Sequence, residues 1–517
     1  MLRASALLLT CAVVALTAAA CGESGSGGDD GPASLVPASA SVYAEAEIRP
    51  EGELRDDALA AAGKILRTDD AAGKLRELID KGLADDGLTW ERDFAPWLGE
   101  DAGVWAGNLQ APKPSFALIV ATKDADAAKA ALAKFEKTSD DGPYTGRSYE
   151  GIDYRVDAEG MAVGMIDDFV VGGTEDAFKR TADARDGEQL VDSDRYEKVV
   201  GELDEDRLGH VYVDGRGLFD VALRDEPDAA RNLDRIKSIL PFDKVGPTAF
   251  SFQADADGLL AEGLTIGLPD GPLREIARLT SFGGTELLGE LPGESWGAWA
   301  VPKLGESAQS LFNAFAGAFG GAAVAAQVKQ ATGLDLEQDV FSWIGDVGVF
   351  VRGTDMASLD GALVISATDE DRAATAFGKI VGLIGKESGT PPRPVKLDGA
   401  DAAFSIATPD ADKDVVLARG AGRVVAAYGE EAASAALDPD AKLGDADNFG
   451  AANKVLGDVE PTFLLSIPDA IKLADAAGGT DAEFDKARPY LEAFGVVAGG
   501  GKSDGDRVES SLGVTLR

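Results

Sequence analysis

The chain has 517 residues with 45% hydrophobic content, too many for one ordinary core, so two or more globular domains are expected. Its 90 acidic residues against 49 basic ones leave a formal net charge of −41. The excess runs along the whole mature chain and repels polyphosphate and anionic headgroups, which argues against nucleic acid as a partner.

The N-terminus MLRASALLLTCAVVALTAAAC carries one charge at Arg3, then an uncharged, mostly apolar run from Ala4 to Ala20. Residues 1–20 read as an export signal, too short and too small-ended for a spanning helix. Ala18, Ala19 and Ala20 leading into Cys21 resemble the lipobox of bacterial lipoproteins, with Leu16 further upstream than the usual leucine. The resemblance implies cleavage before Cys21, lipid on its sulfur and amine, and an address on the outer face of the bacterial cell membrane. Ordinary secretory cleavage after Ala20 is the alternative. Cys11 lies inside the signal, so Cys21 is the sole cysteine of the mature chain and no intramolecular disulfide can form. Residues 21–34 are rich in Gly, Ser and Asp and read as a flexible tether spanning on the order of 20 Å.

The remainder is duplicated. GLTWERDFAPWLGEDAGVW at 87–105 is answered by GLDLEQDVFSWIGDVGVF at 333–350, and FALIVATKDADAAKAALAKFEK at 116–137 by GALVISATDEDRAATAFGKI from 361. DDFVVGGTEDAFK is answered by GRVVAAYGEEAAS, and LVDSDRYEKVV by LGDADNFGAAN, in the same order. Two homologous repeats are expected, 35–270 and 286–517, joined by a linker at 271–285.

In each repeat a short apolar run is followed by a helix. Asp124 caps the first, whose Ala128, Ala131, Leu132 and Phe135 share one face, kept in the second as Ala373, Ala376, Phe377 and Ile380. Alternation at Ile152, Tyr154 and Val156, a Glu159-Gly160 turn, and alternation at Met161, Val163 and Met165 predict a hairpin, with another turning at Asp257-Gly258. The fold class expected is α+β, each half a mainly antiparallel sheet with helices packed on one face. The shared FAPWLGEDAGVW and FSWIGDVGVF segments predict a corner that docks helices onto the sheet. A buried tryptophan ends a helical segment, a glycine allows a tight turn, and Trp97 and Trp343 are buried in equivalent places.

LVPASASVYAEAEIRPEGELRDDAL at 35–59, DFAPWLGEDAGV at 93–104 and the FALIVATKDADAAKAAL block resemble the bacterial family domain of unknown function 3352, over essentially the whole mature chain. The second half lacks the RPEG segment and has Ser342 in place of Pro96. The resemblance implies an often exported bacterial protein with no established activity.

Several motifs suggest chemistry and fail on context. GESWG at 293–297 fits a nucleophile elbow at Ser295, but the following residues alternate like a strand, and the only histidine, His210, precedes it in the chain. His210 sits in a strand pattern where the repeat places Phe463, the mark of a packing residue. GGGKS at 499–503 has the wrong spacing for a phosphate loop and leads into a hairpin. The acidic stretches at 410–414 and 438–448 lack the Gly and Glu positions of an EF-hand and read as solvated turns. LFNAFAGAFGGAAVAAQV at 311–328 reads as a helix packed through small residues rather than a membrane span. No catalytic, cofactor or metal residue is assigned, and Cys21 is the only site residue. The expected function is a non-enzymatic binding or scaffolding lipoprotein of the cell envelope. The alternatives are a carrier of an apolar or lipid-like ligand, favoured by an apolar pocket, and an extracytoplasmic carboxylate-dependent hydrolase, favoured by facing carboxylates in a cleft.

Overall fold

The computed structural model describes residues 31–84, 87–109, 113–138, 143–216, 237, 240–280, 283–319, 321–387, 391–408, 411–478 and 482–517. The signal and Cys21 lie outside them. The chain divides into two compact units, Met1–Asn232 with Phe242–Gly267, and Leu233–Pro241 with Leu268–Arg517.

Unit 1 opens with a short 3-10 turn, Pro32–Leu35, in which Pro32, Ala33 and Leu35 are buried, so its folded body begins inside the stretch expected to be tether. Then come β1 (Val42–Glu47), α1 (Gly52–Leu66), α2 (Ala71–Leu83), a π-helical turn Trp90–Phe94, β2 (Leu98–Gly107), β3 (Ser115–Thr122) and α3 (Ala125–Thr138). β4 (Thr145–Tyr149), β5 (Ile152–Val156), β6 (Met161–Ile166) and β7 (Phe169–Thr174) form a meander. α4 (Glu175–Ala184), α5 (Asp194–Val200), β8 (Gly209–Val213), β9 (Thr248–Ala254) and β10 (Gly258–Ile266) complete it. All pairings are antiparallel, in the order β4-β5-β6-β7-β3-β2-β1-β8-β9-β10.

The local signals act as the sequence suggests. Asp124 Oδ1 accepts the Ala127 amide at 2.9 Å to start α3. Gly160 takes a φ of +88° in the β5–β6 turn, a conformation that only glycine reaches without strain. Asp255 Oδ1 accepts the Asp257 and Gly258 amides at 2.6 and 2.7 Å, which closes the β9–β10 turn.

Helices cover both faces of this sheet, not one. On β3, Ala117 and Ile119 belong to the cluster that holds Ala177 and Phe178 of α4 with Tyr196 and Val199 of α5. Val120 and Leu118 belong to the opposite cluster, with Ile79 of α2, Ala128, Ala131 and Leu132 of α3, and Trp97. Successive strand side chains point to opposite faces. Alternation of large and small apolar residues, as along β6, therefore marks two covered faces, in place of the single covered face expected. The α+β class and the antiparallel sheet are as expected.

Unit 2 contains α6 (Pro272–Thr280), α7 (Glu286–Gly289), β11 (Gly297–Val301), α8 (Leu304–Phe319), α9 (Gly321–Thr332), a π-helical turn Leu336–Phe341, β12 (Ile344–Arg352), β13 (Asp360–Ala367) and α10 (Glu370–Glu387). It continues with β14 (Arg393–Pro394), β15 (Ala402–Ile406), β16 (Val415–Gly420), β17 (Arg423–Tyr428), α11 (Glu430–Leu437), α12 (Asp447–Leu456), β18 (Pro461–Ser466), α13 (Ile467–Ala476), α14 (Ala482–Leu491), β19 (Phe494–Asp504) and β20 (Arg507–Leu516). The strand order is β14-β15-β16-β17-β13-β12-β11-β18-β19-β20, the same as in unit 1 strand for strand. The stretch expected as a linker contains α6. The described residues of 311–328, expected as one helix, fall in α8 and α9. No helix among the described residues is long and apolar enough to cross a membrane.

Candidate functional site

The tryptophan corner is built the same way in both units. Trp97 and Trp343 are buried, at 7% and 2% exposure, and their indole N–H groups donate to the carbonyls of Asp93 and Asp339 at 2.7 and 2.9 Å. The carbonyls of the two tryptophans accept the Lys123 and Thr368 amides, at 2.9 Å each, just after β3 and β13. Asp93 Oδ2 accepts the Thr89 amide and Asp339 Oδ2 the Asp335 amide, each at 2.8 Å. Each carboxylate also holds a lysine of the neighbouring helix, Lys134 of α3 or Lys379 of α10. Both aspartates sit below the usual carboxylate range, Asp93 through hydrogen bonds from Arg92 and then Lys134, Asp339 through Lys379. The glycine of the motif has another role than the expected turn. Gly99 and Gly345 have no positive φ; an added Cβ would stand 2.8 Å from the Ala121 carbonyl or the Ser366 hydroxyl, so glycine is needed for close approach of β2 to β3 and of β12 to β13.

Against this corner unit 1 has a cavity of about 190 Å³. The corner contributes Phe94 and Trp97, α3 contributes Ala131, Leu132 and Phe135, and the sheet contributes Leu118, Val120, Val163, Val170 and Gly172. The polar groups on the wall are Asp93, Lys134, Tyr144 and Asp157. Asp157 is itself engaged, accepting the Glu159 and Met161 amides at 2.8 Å each.

Strand register shows why the space exists. A transverse row runs Arg155, Val163, Gly172, Leu118, Val104, Ala44, Val211, Phe250 across unit 1. In unit 2 the same places hold Phe404, Leu417, Ala426, Leu363, Val349, Trp299, Phe463, Gly499. Where unit 1 has Val163 and Gly172, unit 2 has the larger Leu417 and Ala426. On the overlying helix Phe377 replaces Leu132, and its ring lies 6.1 Å from that of Phe404.

The same register corrects the reading of His210. Phe463 corresponds to Val211, so His210 corresponds to Thr462; a slip of one residue exchanges the two faces of a strand. His210 is a buried member of a polar row on the other face, opposite Glu45 on β1 and Ser251 on β9. Tyr196 Oη lies 2.7 Å from His210 Nε2, and Tyr43 Oη donates to Glu45. Burial pushes Glu45 up to about 7 and His210 down to about 4. Ser251 Oγ is fully buried without a hydrogen-bond partner. Glutamate, histidine and serine in a row suggest a hydrolytic triad, but Ser251 and His210 are 0% and 4% exposed and a histidine nitrogen is taken by Tyr196. Both side chains are closed off from solvent.

The other motifs resolve into structure. Ser295 is buried in a turn before β11, donating from Oγ to the Pro292 carbonyl at 2.6 Å, and no strand-to-helix elbow forms. GGGKS lies inside β19, where added Cβ atoms on Gly499 and Gly500 would collide with Phe463 and the Glu460 carbonyl. Asp414 accepts the Ser405 hydroxyl at 2.7 Å. Among the described residues no three His, Cys, Asp or Glu side chains gather as metal ligands.

Sequence reasoning located the corner but missed the cavity and the Glu45–His210 row. The signal for both was in the copies: Leu132 against Phe377, Val163 against Leu417, Glu45 against Ala300.

Fold and site define a two-unit α+β protein with an apolar cavity under the tryptophan corner of its first unit. The chain belongs to the family described as protein of unknown function (DUF3352), whose model matches residues 2–401. No curated protein matches it in sequence. Solved structures of TP0453 are similar over part of the chain. Crystal form III is 14% identical and covers 50% of this chain and 91% of its own, with a TM-score of 0.25. Crystal form IV is 14% identical over 46% and 80%, with a TM-score of 0.26. Likenesses this low carry no argument here.

Proposed function

We propose that this is an exported lipoprotein, anchored through Cys21 on the outer face of the bacterial cell membrane, which binds an apolar ligand without chemically altering it. The observation that carries the binding reading is the cavity beneath Trp97. It is walled mainly by carbon, and its lining pairs no nucleophile with a base. The signal-like residues 1–20 and the small residues before Cys21 support the address. The shared strand order and the shared tryptophan corner support descent of both units from one ancestral repeat, with smaller residues at the cavity wall of the first. Among the paired strand positions of the described residues, a hydrolase reading has Glu47 opposite Asp101 on β1 and β2 to draw on, and neither lines the cavity.

Native mass spectrometry of the delipidated protein, purified from its own host, tests binding. An apolar molecule retained by the intact chain is expected; a ligand-free chain under gentle extraction contradicts the proposal. The anchor is tested by Cys21→Ser and cell fractionation. The variant is expected in the soluble fraction, and pelleting with membranes after a salt wash would place the anchor elsewhere.

A further inference from the structure

We infer that the group taken into the unit 1 cavity is a compact, uncharged hydrocarbon moiety, one ring or a chain of about six to eight carbons, and that Leu132 and Gly172 set this size. The inference rests on the apolar-binding proposal above and narrows it to a ligand class.

Size comes first. A cavity of about 150 Å³ lined by aliphatic and aromatic side chains stays dry and accepts benzene. The space here is about 190 Å³, a little more than one ring and less than the roughly 300 Å³ at which sites for larger ligands begin. A long acyl chain would leave part of its length outside it.

Polarity follows from what the wall groups already do. Lys134 holds Asp93, and unit 2 repeats that contact as Lys379 with Asp339, so the pair is a clamp between helix and corner that both units need. Asp157 is engaged with two backbone amides of its own turn. A charged group carried inside would lose its hydration, and beside these engaged groups the wall has only the neutral hydroxyl of Tyr144. An anionic head left at the mouth would meet a protein of net charge −41.

The size-setting residues come from the register. Gly172 and Leu132 stand where unit 2 has Ala426 and Phe377. A Cβ added to Gly172 finds its nearest neighbour, the Ala162 carbonyl oxygen, 4.0 Å away, so the glycine leaves room and is not required by packing.

The test is calorimetric titration of the full chain with straight-chain alcohols of about four to twelve carbons. Affinity is expected to rise about fourfold per methylene and to level off near eight carbons. A rise continuing to the longest alcohol overturns the size limit while leaving apolar binding intact; failure of every alcohol to bind overturns apolar binding itself. The carboxylate of matched length is expected to bind at least about tenfold more weakly, and equal binding overturns the exclusion of charge. Leu132→Phe with Gly172→Ala is expected to abolish binding with the melting temperature retained. Unchanged binding in that variant overturns the assignment of these residues, and Gly172→Ala alone, expected to shorten the preferred chain, decides the matter if the double variant fails to fold.

Discussion

Unit 1 and unit 2 share ten strands in one order, a π-helical turn, and a tryptophan hydrogen-bonded to an aspartate carbonyl four residues back, yet they differ where side chains of α3 and α10 meet the sheet. In unit 2, the Phe377 ring of α10 lies 6.1 Å from that of Phe404, which pairs with Leu417 in the sheet. In unit 1, Leu132 stands above Val163 and Gly172, and Arg155 turns outward to Glu136, 3.4 Å away. One backbone plan thus carries larger side chains at these places in unit 2 and borders a cavity in unit 1. The difference teaches that the shared motif is scaffold, and that ligand space comes from the residues the copies do not share.

The largest expected effect is on the corner. Trp343→Ala removes an indole from the buried cluster of Ala373, Ala376 and Phe377 and is expected to cost about 3–5 kcal/mol in denaturant unfolding. Trp97→Ala, which enlarges space already present, is expected to cost less, since fewer packed neighbours lose contact. Equal costs would break the contrast between the two corners. Next in size, Phe377→Leu is expected to destabilise unit 2 by about 1–3 kcal/mol, whereas Leu132→Phe is expected to be neutral or stabilising in unit 1. A destabilisation of unit 1 comparable to that of unit 2 would mean that the space beneath Leu132 is already occupied by packing.

The polar row separates the units by pH. Glu45 is raised from 4.5 to about 7, so its contribution is complete below pH 4.5 and lost as pH rises through 7. His210 is lowered from 6.5 to about 4, so its contribution is present above pH 6.5 and lost as pH falls through 4. The two oppose each other between pH 4.5 and 6.5. Glu45→Gln removes one carboxyl from that balance and leaves His210 opposed by Asp101, which burial raises to about 6, so over that window stability is expected to gain about 1–3 kcal/mol with rising pH relative to the parent chain. A variant whose pH dependence there matches the parent's would contradict the assignment. The smallest effect belongs to the clamps. Lys134→Met and Lys379→Met each remove a half-exposed partner and are expected to cost about 0.5–1 kcal/mol, alike in both units by thermal unfolding. A loss confined to one unit would show that the clamp is not common scaffold.

Much of the scaffold could be read from the chain. The cap at Asp124, the turn at Gly160 and the face through Ala128, Ala131 and Leu132 depend on local chemistry, which sequence displays directly. Helices on the second face of the sheet were misjudged because small inward residues such as Ala162 and Gly164 do not look like a core until a helix lies over them. The sequence sets His210 against Phe463, whereas the hydrogen-bonded pairs of β1 with β8 and β11 with β18 set it against Thr462, because strand register is a property of the pairing and not of the chain. The cavity was invisible for a related reason: a void is a difference in volume between facing residues on α3, β6 and β7, and these face one another only in the fold.

The central claim is that unit 1 keeps an apolar site open through Leu132 and Gly172. Calorimetric titration of toluene into the intact chain and into the Leu132→Phe, Gly172→Ala chain tests it most directly. The account predicts one equivalent bound by the first and none by the second, at matching melting temperatures. Equal binding by both would contradict it.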